Sequence, residues 1–98
     1  MPQTKLAKKT KKPDFGWFHY ICKAKMIEQD TWYQDLERTK QISRSSQAIR
    51  SWVEDPTRFR LEDIVEYLKA INFTPEEIGG ILNRLATEMA GGTYHVQN

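Results

Sequence analysis

Residues 45–71, with the sequence SSQAIRSWVEDPTRFRLEDIVEYLKAI, decide the fold because they carry two runs of apolar residues at helical spacing. The first run is Ala48, Ile49, Trp52 and Val53, and the second is Leu61, Ile64, Val65, Leu68 and Ile71. Ser45 is a favoured N-cap for the first helix, and Pro56 ends it because the residue before a proline avoids the α region. The spacing therefore predicts a helix over residues 45–53, a basic loop over 57–60 and a helix over 61–71.

Towards the N-terminus, a further helix is predicted over residues 15–28, with Asp14 as its N-cap. Its apolar stripe consists of Phe18, Ile21 and Cys22, which recur at the spacing of one helix face. Lys23, Lys25 and Glu28 are expected to face water.

Another short helix is predicted between residue 31 and residue 39 or 40. Asp30 or Thr31 is its expected N-cap, and Thr31 with Gln34 fits a capping box. Its apolar residues are Trp32, Tyr33 and Leu36. Residues 40–44 then form a connector, in which Ile42 can reach the core.

Towards the C-terminus, the sequence Thr74-Pro75-Glu76-Glu77 predicts a helix start, with threonine as N-cap and the second glutamate as its capping-box partner. The helix carries the apolar residues Ile78, Ile81, Leu82, Leu85 and Met89. Gly79-Gly80 inside it indicates either close packing of a neighbouring helix or a locally loose helix. Gly91-Gly92 ends it.

No segment alternates with the period of a strand, so the prediction is an all-α, compact five-helix bundle. Residues 1–13 are expected to be a flexible lysine-rich arm, residues 14–90 one folded domain and residues 91–98 a C-terminal tail. A chain of 98 residues has the length of a single domain.

Composition excludes several classes of protein. One cysteine cannot form an intramolecular disulfide, and no run approaches the roughly 18 apolar residues that span a membrane. No apolar stretch follows the basic start, so no secretory signal is expected and the cytoplasm is the expected compartment. His19 and His95 have no partners at metal-ligand spacing, and Cys22 lies on an apolar stripe. We therefore expect no metal, no cofactor and no enzyme activity.

The net charge of +2 is divided unevenly along the chain. Residues 1–12 carry +5 and residues 38–60 carry +4, whereas residues 13–37 carry −3 and residues 61–98 carry −4. Two basic segments separated by acidic ones favour a polyanionic partner on one side of the molecule.

Residues 45–71 resemble the Cro/repressor-type (XRE-like) helix-turn-helix family of phage and bacterial regulators. The resemblance rests on Ser-Ser-Gln-Ala-Ile-Arg-Ser-Trp at residues 45–52, the turn with Pro56 and the amphipathic helix that opens at Leu61. Two features depart from the family pattern. Glu37 follows Leu36 where the family has a small residue, and Ser45 lies nine residues after Leu36 in a turn without glycine. A longer turn leaves the angle between the second and third helices open.

The resemblance implies a sequence-specific regulator of transcription, a repressor from a phage, prophage or mobile element, that binds double-stranded DNA near the nucleoid. The helix over residues 45–53 would lie in the major groove. The expected base contacts are Ser46, Gln47, Arg50 and Ser51. The expected phosphate contacts are Lys8, Lys9, Lys11, Lys12, Thr31, Arg44, Ser45, Arg58 and Arg60.

The resemblance also implies a homodimer, with the fifth helix or the tail after Gly92 as the expected contact. No small-molecule effector and no membrane partner are expected. One alternative is an antitoxin-type helix-turn-helix protein that binds a toxin and its own operator. A second alternative is a helical adaptor or structural protein that does not bind DNA.

Overall fold

The structure is a computed structural model that describes residues 14–91. In this part of the chain it contains five α-helices and one 3-10 turn and no strand, which confirms the all-α prediction. The elements are α1 (Gly16–Glu28), α2 (Tyr33–Arg38), α3 (Ser46–Glu54), the 3-10 turn (Pro56–Arg58), α4 (Leu61–Ala70) and α5 (Pro75–Met89). The predicted arm, and all of the predicted tail except Gly91, lie outside the described residues.

One hydrophobic core receives side chains from all five helices. Its most deeply buried members include Phe18, Cys22 and Met26 from α1, Leu36 from α2, Ile49 and Val53 from α3, and Tyr67 and Leu68 from α4. The connector residue Ile42 is also buried, as predicted. α3 packs against both α1 and α2, and α4 packs against α5. The core therefore holds α3 from one side and leaves its other side to solvent.

Tyr67 lies at the centre of an aromatic stack in this core. Its ring stacks on Tyr33 at 6.3 Å and on Phe59 at 6.1 Å between ring centroids. Its hydroxyl donates to the sulfur of Met26 over 3.6 Å. Because burial disfavours the phenolate, the pKa of Tyr67 is raised far above its ordinary value. Cys22 is fully buried beside it, which confirms its place on the apolar stripe.

The predicted start of α1 is off by one residue. Phe15 is the N-cap of the helix, and the Asp14 carboxylate accepts a hydrogen bond from the backbone N–H of Gly16 over 2.9 Å. Asp14 therefore caps the first turn from one position further out than the sequence indicates.

The predicted capping box of α2 is wrong. Trp32 is the N-cap, and its backbone N–H donates to the carboxylate of Asp35 over 2.9 Å. The N–H of Thr31 is already bonded to the carbonyl of Met26 over 2.9 Å at the end of α1. Thr31 therefore belongs to the end of α1 and does not cap α2. As a result, α2 begins later than predicted, at Tyr33.

α3 begins as predicted, since the Ser45 hydroxyl accepts a hydrogen bond from the N–H of Ala48 over 3.2 Å. The expected loop over residues 57–60 instead begins as the 3-10 turn that starts at Pro56. α4 ends at Ala70, one residue earlier than predicted. Leu61, expected in the apolar stripe of α4, is 69% exposed because it occupies the first turn of the helix, outside the core.

α5 has the predicted capping box: Thr74 accepts from the N–H of Glu77, and the Glu77 carboxylate accepts from the N–H of Thr74. A Cβ added to Gly79 or Gly80 would meet nothing within 4 Å, so close packing of a neighbouring helix there is excluded within the described chain.

The C-terminal end of α5 is held against α1 through Trp17. The indole N–H of Trp17 donates to Glu88 over 2.9 Å, and the Arg84 guanidinium lies 4.0 Å from the centroid of the Trp17 ring.

Within residues 14–91, no helix is long and apolar enough to cross a bilayer.

Candidate nucleic-acid interface

α3 is amphipathic, and the orientation of its two faces defines the candidate interface. Ile49 and Val53 are fully buried and fix the helix to the core. Gln47, Arg50 and Ser51 are exposed on the opposite side. The helix therefore presents an amide, a guanidinium and a hydroxyl to solvent, which are groups that can bond to base edges in a major groove.

Three of the four predicted base-contact residues share this exposed face, and Ser46 lies at its edge, half-buried. The Arg50 guanidinium is 6.0 Å from the ring centroid of Tyr33, which rests in the core below it. Ser46, Gln47 and Arg50 line a shallow depression with residues of α2. α2 and α3 thus form one continuous surface at this point.

Glu37 covers the N-terminus of α3. Its carboxylate accepts a hydrogen bond from the backbone N–H of Ser46 over 2.8 Å. This bond, with a second from the Ser46 hydroxyl, holds the pKa of Glu37 below its ordinary value of 4.5. A negatively charged side chain of the protein therefore already lies at the helix end where Ser45 was expected to contact a phosphate.

Arg44 is also engaged within the protein. Its Nε donates to both carboxylate oxygens of Asp63 over 3.2 Å, and Asp63 is 4% exposed. The Arg44 side chain remains 40% exposed. Arg44 thus neutralises a buried carboxylate on α4, and its role as a phosphate contact stays a prediction.

The connection between α2 and α3 is fixed by a second carboxylate of α4. Glu66 accepts hydrogen bonds from both the backbone N–H and the hydroxyl of Ser43, each over 2.9 Å. Together with Asp63 and Glu37, it holds residues 43–46 at three points. These bonds set the direction in which α3 leaves the connection, and therefore the direction of its exposed face.

Arg58 and Arg60, two of the predicted phosphate contacts, follow α3 in the chain. Both are exposed, the first in the 3-10 turn and the second as the N-cap of α4. Ser45 is exposed at the start of α3, where its hydroxyl serves as the cap. Thr31 is half-buried, and its N–H bond to α1 leaves only its side chain for a phosphate. Lys8, Lys9, Lys11 and Lys12 lie outside the described residues.

The C-terminal end of α3 is acidic. Asp14, Glu54 and Asp55 line an open depression of about 810 Å3 there, together with His19. Among the residues that the structure describes, no group of three or more histidines, cysteines and acids is arranged to hold a metal ion.

Sequence reasoning missed Glu37, Asp63 and Glu66 as parts of the site. They are 9, 19 and 23 residues away from their partners, so no helical spacing indicates them. Of the three, only Glu37 was noticeable in the sequence, because it stands where the helix-turn-helix family has a small residue.

Comparisons with protein-family models, with curated proteins and with solved structures found no match to this chain. The helix-turn-helix resemblance therefore remains a hypothesis based on residues 45–71 and on the surface that they form.

Proposed function

We propose that the chain is a sequence-specific double-stranded DNA-binding regulator of transcription, a repressor of the Cro/repressor helix-turn-helix type. The observation that carries the proposal is the exposed face of α3, where Gln47, Arg50 and Ser51 project from a helix fixed by Ile49 and Val53. A side chain held on a rigid helix is positioned well enough to discriminate between bases.

In this proposal the residues have separate roles. Gln47 bonds to adenine and Arg50 to guanine, each contributing about 1–3 kcal/mol of discrimination against a wrong base. Arg58 and Arg60 contact phosphates next to the groove, and the lysines of residues 5–12 add sequence-independent attraction. Glu37 and Arg44 contribute by placing α3, since their polar groups are already bonded within the protein.

The first experiment selects bound sites from a pool of random duplexes, with the full chain and with a chain that lacks residues 1–12. We expect one short motif to be enriched with both. Affinity should fall without the arm, because the five lysines are lost. Absence of any salt-dependent binding near 50 mM salt would contradict the proposal and favour the helical adaptor.

The second experiment measures base reading by Gln47→Ala. The selected site should lose about 1–3 kcal/mol of binding free energy while random DNA loses little. Gln41→Ala is the matched control, because Gln41 is an exposed glutamine on the connector whose side-chain N–H bonds to Thr39. Equal losses of binding free energy on the selected site and on random DNA would show that Gln47 does not read bases.

The third experiment measures the phosphate contact of Arg58. Arg58→Ala should weaken binding to selected and random DNA about equally and reduce the salt slope by about one unit. Lys69→Ala, at an exposed lysine on α4, is the matched control and should leave the slope unchanged. A loss confined to the selected site would instead indicate that Arg58 reads bases.

An antitoxin-type regulator is the second candidate, and an apolar depression between α4 and α5 favours it. Val65, Phe73, Ile78 and Leu82 line this depression, which has a volume of about 510 Å3. Co-expression with the product of the neighbouring gene tests it. A stable complex that Val65→Glu breaks, with DNA binding retained, would support this candidate.

A further inference from the structure

α1 carries apolar side chains on two opposite sides, with charged residues between them. Phe18, Cys22 and Met26 are fully buried on one side. On the opposite side Tyr20 is 72% exposed and Ile27 is 63% exposed. Two large apolar side chains exposed on the same face of a helix indicate a surface that another molecule covers.

The exposed side has the spacing of a helix-pairing seam. Tyr20, Ala24 and Ile27 are exposed and follow one another at intervals of four and three residues, as the d, a and d positions of a heptad do. In that register Lys23 occupies a g position and Glu28 an e position, on the two flanks of the seam. Both are exposed.

The two flanking charges are complementary between parallel copies of α1. In a parallel pair, a g residue meets the e residue five positions further along the partner helix, so Lys23 of each copy meets Glu28 of the other. In an antiparallel pair, like flanks face each other and the two Lys23 side chains would repel. Within one helix Lys23 and Glu28 do not face each other, and Glu28 lies 4.0 Å from Lys25.

We propose that α1 pairs in parallel with α1 of a second copy of this chain, through Tyr20, Ala24 and Ile27. This places the dimer contact on α1 rather than on α5, whose exposed side in the described chain carries small residues such as Gly79, Gly80 and Ala86, with Met89 at its end. A seam of 13 residues offers less than the roughly 800 Å2 per partner of a standard interface. The dimer is therefore expected to be weak and to form only at high protein concentration.

The self-association is measured by sedimentation equilibrium of the full chain without DNA, from about 10 μM to about 1 mM. The average mass should rise with concentration from the monomer value of 11.5 kDa towards twice that value. Ile27→Glu should remain monomeric throughout. Leu61→Glu is the matched control, because Leu61 on α4 is 69% exposed against 63% for Ile27, and this variant should dimerise as the wild type does.

Charge exchange tests the parallel arrangement. Lys23→Glu alone and Glu28→Lys alone should each weaken dimerisation at least fivefold, because like charges then meet at both flanks. An equimolar mixture of the two variants should recover the wild-type association, since both flanks of the mixed dimer again pair opposite charges. Raising the salt to 1 M should reduce all of these differences.

A monomeric wild type at every concentration would overturn the proposal, and so would a dimer that persists in Ile27→Glu. If Ile27→Glu does not fold, Tyr20→Lys is used in its place, because Tyr20 is the most exposed residue of the seam. Single variants that associate as the wild type does, with a mixture that associates more strongly than the wild type, would overturn the parallel arrangement, because an antiparallel pair places Lys23 against Lys23 and Glu28 against Glu28. A mixture as weakly associated as its components would overturn the charge pairing itself. None of these outcomes depends on DNA binding, so they are distinct from a failure of the proposed function.

Discussion

Glu37 has two opposite effects on the candidate interface. Its carboxylate bonds to the N–H of Ser46, so it satisfies a donor at the start of α3 and fixes the helix. The same charge lies where a DNA phosphate would approach, and like charges repel. In the proposed function, the residue therefore helps to orient α3 and is expected to reduce the affinity of that helix for any nucleic acid.

Glu37→Gln separates these effects, because glutamine keeps an oxygen that accepts the Ser46 N–H and removes the charge. We expect affinity for a random duplex to rise about three- to tenfold near 50 mM salt, with a smaller gain at 200 mM. Fluorescence anisotropy with a labelled duplex measures this. Glu76→Gln, at an exposed glutamate on α5, is the control and should change the affinity less. An unchanged or lower affinity of Glu37→Gln would show that phosphates do not approach Glu37.

The ion pair between Arg44 and Asp63 is expected to stabilise the folded state. Asp63 is only 4% exposed, and Arg44→Ala removes the guanidinium that is bonded to its carboxylate. We expect this substitution to lower the free energy of unfolding by about 1–3 kcal/mol. Arg38→Ala breaks an exposed pair with Asp35 and should cost less than about 1 kcal/mol. Urea denaturation compares the two. Equal costs would mean that Asp63 is stabilised without Arg44.

At the scale of single helices, two glycines lower the stability of α5 without a packing reason. Gly79 and Gly80 lie inside the helix with open space around them, so a methyl group at either position meets nothing. Gly79→Ala and Gly80→Ala should each raise the free energy of unfolding by about 0.5–1 kcal/mol, since alanine has less conformational freedom to lose.

Gly91→Ala is the contrasting change. Gly91 has a φ of +87°, in the left-handed region that L side chains rarely adopt, so alanine there should cost about 1 kcal/mol. Thermal and urea unfolding of the three variants measure whether the first two substitutions stabilise the protein and whether Gly91→Ala destabilises it. Destabilisation by Gly79→Ala or Gly80→Ala would indicate that another molecule covers this side of α5.

The starts of α3 and α5 were predictable from the sequence because each has a local cap, whereas the start of α2 was not. The capping box at Thr74 and the cap at Ser45 depend on groups within three residues, so both were found. The start of α2 depends on the hydrogen bond from Thr31 to α1, which the local pattern does not contain. The exposed face of α3 was likewise predictable from periodicity. The bonds from Asp63 and Glu66 that orient it join distant parts of the chain.

At the scale of the whole molecule, three carboxylates make stability depend on pH in the acid range. Hydrogen bonds from Arg38 and Trp32 lower the pKa of Asp35, and backbone N–H groups lower the pKa of Glu37 and Glu77. A lowered pKa in the folded state means that the unfolded chain binds protons first as the pH falls. The stabilisation is therefore complete above the ordinary values of 3.8 for aspartate and 4.5 for glutamate, and it is lost below them.

The measurement is the urea midpoint between pH 7 and pH 3. We expect it to be nearly constant above about pH 5.5 and to fall as the pH decreases through 4.5 towards the folded pKa values. The variant with both Glu37→Gln and Glu77→Gln should show a shallower fall. An equally steep fall in that variant would assign the acid sensitivity to other carboxylates.

The burial of Cys22 gives this protein a built-in reporter of unfolding. It is the one cysteine of the chain, and burial raises the pKa of its thiol to about 12. A thiol reagent at neutral pH finds neither access nor thiolate in the native state, so its rate of reaction measures how often the core opens. A second cysteine placed at exposed Ser51 would then carry a fluorophore selectively, while the native thiol remains unmodified until the protein unfolds.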